Sequence, residues 1–115
     1  MTADVMTEKE WQARVVDLAK VMGWRFAHFR PAQTARGWRT AMEGMPGFPD
    51  LVLVRAGRVI FAELKAGKNK PGPEQVEWIN QLAAVPGVDA YVWWPQDWDQ
   101  VVEALTGRQL AGGAV

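Results

Sequence analysis

The sequence predicts one α/β domain in which a helix is followed by three strands, a second helix, a fourth strand and a last helix. Three observations carry this reading. Apolar residues recur at helical spacing near the start, at Trp11, Val15, Leu18, Ala19 and Met22. Two β-branched and apolar runs flank Ala56 and Gly57 in DLVLVRAGRVIFAELKA, as in a hairpin with a tight turn. A run of high β propensity, Val88 to Trp94, stands between two segments that carry helix-start signals. At 115 residues the chain has the size of a single domain, 1–115, with a core over about residues 7–106 and a tail, 107–115, expected to fray.

Each element has a local cause. Thr7 followed three residues later by Glu10 is the pattern of a capping box, and Gly23 is a natural helix stop. WRFAHF then reads as a strand. The stretch from Arg30 to Pro49 has no clean period and is too long for an ordinary connection, so no element is predicted there. After the hairpin comes the loop GKNKPGP, whose Pro73 can begin a helix running to about Ala84. In the last helix Asp97 is expected to cap the start with Gln100 in the return position, and Gly107 to end it.

Composition removes several chemistries. The chain has no cysteine and no serine, which excludes disulfides, thiolate metal sites, cysteine nucleophiles and a serine triad. One histidine, His28, remains, so chemistry must rest on carboxylates, Lys, Arg and a bound ion. No apolar run approaches the roughly 18 to 20 residues of a membrane span, and the start lacks the basic and apolar stretches of a secretion signal, so a cytoplasmic protein is expected. The formal net charge is zero, but its distribution is uneven. Arg25, Arg30, Arg36 and Arg39 lie between Trp24 and Thr40 with no acid, whereas Pro71 to Gly107 holds six acids and no Lys or Arg. The first segment can meet phosphates.

The turn fixes a register. With Ala56 and Gly57 as loop residues, Arg55 faces Arg58 and, counting outward, Asp50 faces Glu63. Like charges directly opposed are destabilising, so something must offset them. Lys65, on the same face as Glu63 by the period of two, is one candidate, and a divalent cation is the other. Mg²⁺ is typically held by one or two carboxylates together with water and phosphate oxygens. Such an ion would polarise a phosphate oxygen and acidify water, while Lys65 would neutralise charge on phosphorus, which is what phosphodiester hydrolysis requires. The bland alternative is an exposed strand face with a surface ion pair. Glu8 and Gln75 lie on the inward stripes of their helices, Glu8 leading Trp11 and Val15, and Gln75 leading Trp78, Ile79 and Leu82.

The runs TEKEWQARVVDLAKVMGW, GFPDLVLV, FAELKAGK and GPEQVEWI, in this order, resemble the VRR-NUC nucleases of the PD-(D/E)XK superfamily. The resemblance covers about Thr7 to Leu105. It implies a restriction-endonuclease-like αβββαβ core with a mixed central sheet flanked by helices, similar to Holliday-junction resolvases. It implies further that Asp50, Glu63 and Glu8 bind Mg²⁺ or Mn²⁺, that Lys65 is the catalytic lysine, that Gln75 joins the catalytic set, and that the protein is a homodimer or higher homo-oligomer cutting branched, flap or junction DNA. The segment RPAQTARGWRTAMEGM departs from the family pattern. Candidate DNA contacts are Arg30, Arg36, Trp38 and Arg39, together with Lys68 and Lys70, and Trp38 could stack on an unpaired base. Trp93, Trp94 and Trp98 suggest a self-association surface. The rival functions are a non-catalytic DNA-binding subunit of the same fold and a sequence-specific restriction-type endonuclease.

Overall fold

The computed structural model describes residues 6–29, 32–34, 37–39 and 43–108. The helix α1 spans Glu8–Val21, and its start is the expected capping box: Glu10 N–H donates to Thr7 Oγ1 at 3.1 Å and Thr7 N–H to Glu10 Oε1 at 2.9 Å. The strand β1 follows at Arg25–His28. Two short strands that the sequence did not announce, β2 (Ala32–Thr34) and β3 (Gly37–Arg39), form a separate antiparallel pair in the long Arg30 to Pro49 segment. Three-residue strands are too short to leave a recognisable alternation. The remaining elements are β4 (Leu51–Arg55), β5 (Arg58–Leu64), α2 (Pro73–Ala83), β6 (Val88–Trp93) and α3 (Trp98–Thr106).

The main sheet is mixed, in the order β1-β4-β5-β6, with β5 and β6 parallel and the other pairs antiparallel. The parallel pair requires a crossover, and α2 supplies it. Pairs Arg55↔Arg58, Val54↔Val59 and Leu51↔Ala62 give the register expected from the turn. Ala56 (φ 49°) and Gly57 (φ 80°) are both left-handed, as a type I′ turn demands. Alanine is strained there. Ala56→Asn is expected to raise stability by about 0.5–1 kcal/mol in a urea titration, because Asn tolerates this conformation; an unmoved midpoint would mean that the turn stores no strain.

One sheet face carries the core. Leu51, Leu53, Ile60, Ala62, Leu64 and Trp93 are buried with Trp11, Val15 and Ala19 of α1 and Val101 and Leu105 of α3. The indoles bring their N–H groups to backbone oxygens: Trp11 Nε1 donates to Trp93 O at 3.0 Å and Trp24 Nε1 to Leu105 O at 2.8 Å. The opposed arginines of the hairpin cap helix ends, Arg55 donating to Met22 O and Arg58 to Ala104 O, where the helix dipole favours cations.

Two expectations near the C-terminus are corrected. Asp97 precedes α3 but makes no side-chain cap, because Pro95–Asp97 is a 3₁₀ turn and the Asp97 carboxylate turns back to accept from Trp94 N–H at 2.8 Å. Gln100 accepts instead from Trp93 Nε1 at 3.2 Å. The second is the tryptophan surface: Trp93 is fully buried and cannot contribute to it, while Trp98, packed edge-on against Trp11 beneath Arg14, and Trp94 are half-buried. Gly107, with φ 74°, does end α3. Among the described residues no helix is long and apolar enough to cross a membrane. The tail beyond residue 108 lies outside the described residues.

Candidate active site

Alternation along β5 sends Ile60, Ala62 and Leu64 into the core and Phe61 and Glu63 to the opposite face, where α2 lies. Continuing the observed ladder by one residue sets Asp50 opposite Glu63. Glu63 is only 1% exposed and is the one buried charged residue among those described. Its Oε2 accepts from Gln75 Nε2 at 2.7 Å and pairs with Lys65 Nζ at 3.2 Å. Its Oε1 is buried with no hydrogen-bond partner. Burial first, and the charge of Asp50 second, push the Glu63 carboxyl up to about 7 against the pull of Lys65.

Gln75 holds its place through the helix start. Pro73 opens α2, and the Gln75 side-chain oxygen accepts from Gly72 N–H at 2.8 Å, which leaves its amide to reach Glu63. Asp50 has a second role that the sequence did not reveal, since its Oδ2 accepts from Leu64 N–H at 3.0 Å and extends the β4–β5 ladder by a side chain. Asp50, Glu63, Lys65 and Gln75 are therefore brought together, as expected.

Glu8 is not gathered with them. Among the described residues no group of three His, Cys, Asp or Glu side chains could hold a metal ion. The helix α1 packs through Trp11, Val15 and Ala19 with Ile60, Ala62 and Leu64, on the face away from Glu63. A cation here would have two protein carboxylates, Asp50 and Glu63. When Glu63 is ionised its Oε1 suits such an ion, because a buried anionic oxygen without a partner is costly, whereas the protonated carboxyl is stabilised by hydrogen bonding with Asp50.

An aromatic cluster beside the carboxylates was not anticipated. The Phe48 ring stands edge-on to Phe29 at 5.7 Å, Phe61 at 5.9 Å and Trp78 at 5.1 Å. Trp78 Nε1 donates to Pro46 O at 3.0 Å, tying the approach to Asp50 onto α2. The run GFPD hinted at a tight approach, but no spacing rule links it to a helix some thirty residues later.

The basic candidates divide. Lys68 and Lys70 are exposed in the loop after β5, which is pinned by Trp94 Nε1 donating to Asn69 O at 3.0 Å. Arg30 and Arg36 lie outside the described residues, and Trp38 and Arg39 belong to β3, whose side chains also lie outside them. In comparison with known proteins, no family model and no curated protein matches the chain, so the reading of this site rests on its own residues and their geometry.

Proposed function

We propose that the chain is a cytoplasmic Mg²⁺- or Mn²⁺-dependent nuclease that hydrolyses DNA phosphodiester bonds, with a restriction-endonuclease-like core of the VRR-NUC kind. The observation that carries this reading is the buried Glu63, opposed to Asp50 and clamped through one oxygen only by Lys65 and Gln75. Burying Glu63 directly opposite a second carboxylate, Asp50, costs stability, and a bound cation is the arrangement that would offset that cost. Asp50 and Glu63 would hold the ion, which when bound supplies Lewis-acid polarisation of a phosphate oxygen and acidification of water. Lys65, paired with Glu63 at 3.2 Å, would lie close enough to a phosphate held there to offset the negative charge that develops on phosphorus. Gln75 fixes the orientation of Glu63, and Asp50 is fixed by Leu64 N–H, so the pair needs little rearrangement. Lys68 and Lys70, together with Arg30, Arg36, Trp38 and Arg39, are the candidate contacts to DNA backbone and bases, and a homodimer would let two sites act on a branched substrate.

The test is calorimetric titration with Mn²⁺, followed by incubation of duplex, flap, splayed and four-way DNA with Mg²⁺ or Mn²⁺. Cation binding is expected, with cleavage that follows DNA shape more than sequence, and Lys65→Ala should lower the rate by roughly 100-fold or more. DNA binding without Mn²⁺ binding or cleavage would make the protein a binding module and end the nuclease reading.

A further inference from the structure

Among the described side chains, Phe29 is the single aromatic that is exposed, at 40% of its surface, while every other described aromatic is buried or half-buried. It lies directly beside the carboxylates. Phe29 N–H donates to Asp50 O at 2.7 Å, which continues the β1–β4 ladder and makes Phe29 the cross-strand neighbour of Asp50. Its ring packs edge-on against Phe48, which also meets Phe61, two residues before Glu63 and on the same face. Arg25 and Ala27 alternate to that face as well, and both are exposed. This half of the sheet thus presents an open strip with a cation at one end and a fixed ring at the other.

A lone exposed ring is ordinary in itself, but one fixed beside a candidate reaction centre offers its face to a ligand and gains hydrophobic stabilisation when covered. The neighbour of Phe29 narrows the ligand. Cross-strand Cβ atoms are about 4.5–5.5 Å apart, so a phosphate held at Asp50 and Glu63 would have its adjoining base within reach of the ring. A base can lie on that ring only if it is out of the duplex stack, and stacking on aromatic side chains tolerates any sequence. Resting on the nuclease reading above, we infer that Phe29 is a stacking platform for an unpaired base beside the scissile phosphate. The substrate class is then DNA whose nucleotide at the cut is single-stranded or displaced. Phe48 serves as a positioning residue that holds the platform, and Arg25 extends the path along the backbone.

The experiment uses flap DNA carrying 2-aminopurine at the junction, whose fluorescence falls on stacking, with Ca²⁺ as the cation and a fully paired duplex as control. Wild type and Phe29→Trp should bind the flap and quench it. Phe29→Leu, which keeps an apolar contact to Phe48 but has no ring, should abolish the quench and weaken flap binding roughly 5- to 150-fold, with little change on the paired duplex. A wild-type complex without quenching, or Phe29→Leu binding the flap as wild type does, would overturn the inference. So would equal losses on flap and duplex, which would make Phe29 part of the general scaffold. If quenching and discrimination are found but neither Mg²⁺ nor Mn²⁺ supports cleavage, the nuclease reading falls and the platform stands. If the DNA is cut but Phe29→Leu changes neither quench nor binding, the platform falls and the nuclease reading stands.

Discussion

Glu63→Gln is expected to abolish cation-dependent cleavage and, in the cation-free protein, to raise stability above neutral pH by roughly 3 kcal/mol. The sign follows from the direction of the shift. Folding raises the Glu63 carboxyl from 4.5 to about 7, so the folded state holds this proton more tightly than the unfolded chain does. The stability linked to that proton is full below pH 4.5 and is lost as pH rises through 7. Glutamine has the shape of the protonated acid and cannot ionise. The wild type should therefore lose stability relative to the variant between about pH 4.5 and 8, reaching a melting difference of roughly 10 °C at the upper end. Added Mn²⁺ should close the gap from the wild-type side only, because an ion held by the carboxylates replaces the proton. Glu10, drawn down by its Thr7 hydrogen bonds, titrates in the opposite sense but identically in both proteins, so the difference isolates Glu63. Parallel melting curves across pH would mean that Glu63 is not the strained carboxylate, and the site would lose its main support.

How much of this was legible depended on the range of the signal. The Ala56–Gly57 turn fixed its strands by local rules, and a period of two then carried the register out to Asp50 and Glu63. The capping box of α1 was equally local. Asp97 shows where local reading fails: Pro95 inserted a 3₁₀ turn, and the same carboxylate found a nearer amide. Glu8 marks a second limit, since helix phase says which side of α1 faces the sheet but not which sheet face the helix covers. The Asp50 bond to Leu64 and the Phe29–Phe48 contact are tertiary pairings with no spacing in the chain, so only the structure reveals them.

Gly47→Ala is expected to be the most damaging single methyl that can be added near the site. Gly47 has φ 94°, a conformation that an L side chain adopts only under strain, and a Cβ placed on it would lie 2.7 Å from the Glu74 carbonyl carbon and 2.9 Å from both Gln75 N and Glu74 Cβ. Two of these atoms are backbone at the first turn of α2 and cannot swing away. Either α2 withdraws or the Pro46–Asp50 segment does, and both movements separate Gln75 from Glu63, which now meet at 2.7 Å. Steric overlap and backbone strain together should cost about 2–5 kcal/mol. Gly44 provides the control, because its φ of 123° is also unfavourable for alanine while no atom stands within 4 Å of the added carbon. Gly44→Ala should show the strain alone. Urea midpoints and Mn²⁺ titrations of the two variants separate the terms: Gly47→Ala should lose more stability than Gly44→Ala and should also bind Mn²⁺ more weakly, whereas Gly44→Ala should keep wild-type cation affinity. Equal urea midpoints would show that α2 yields freely to the methyl group, and unchanged Mn²⁺ affinity in Gly47→Ala would show that Glu63 does not depend on Gln75 for its orientation.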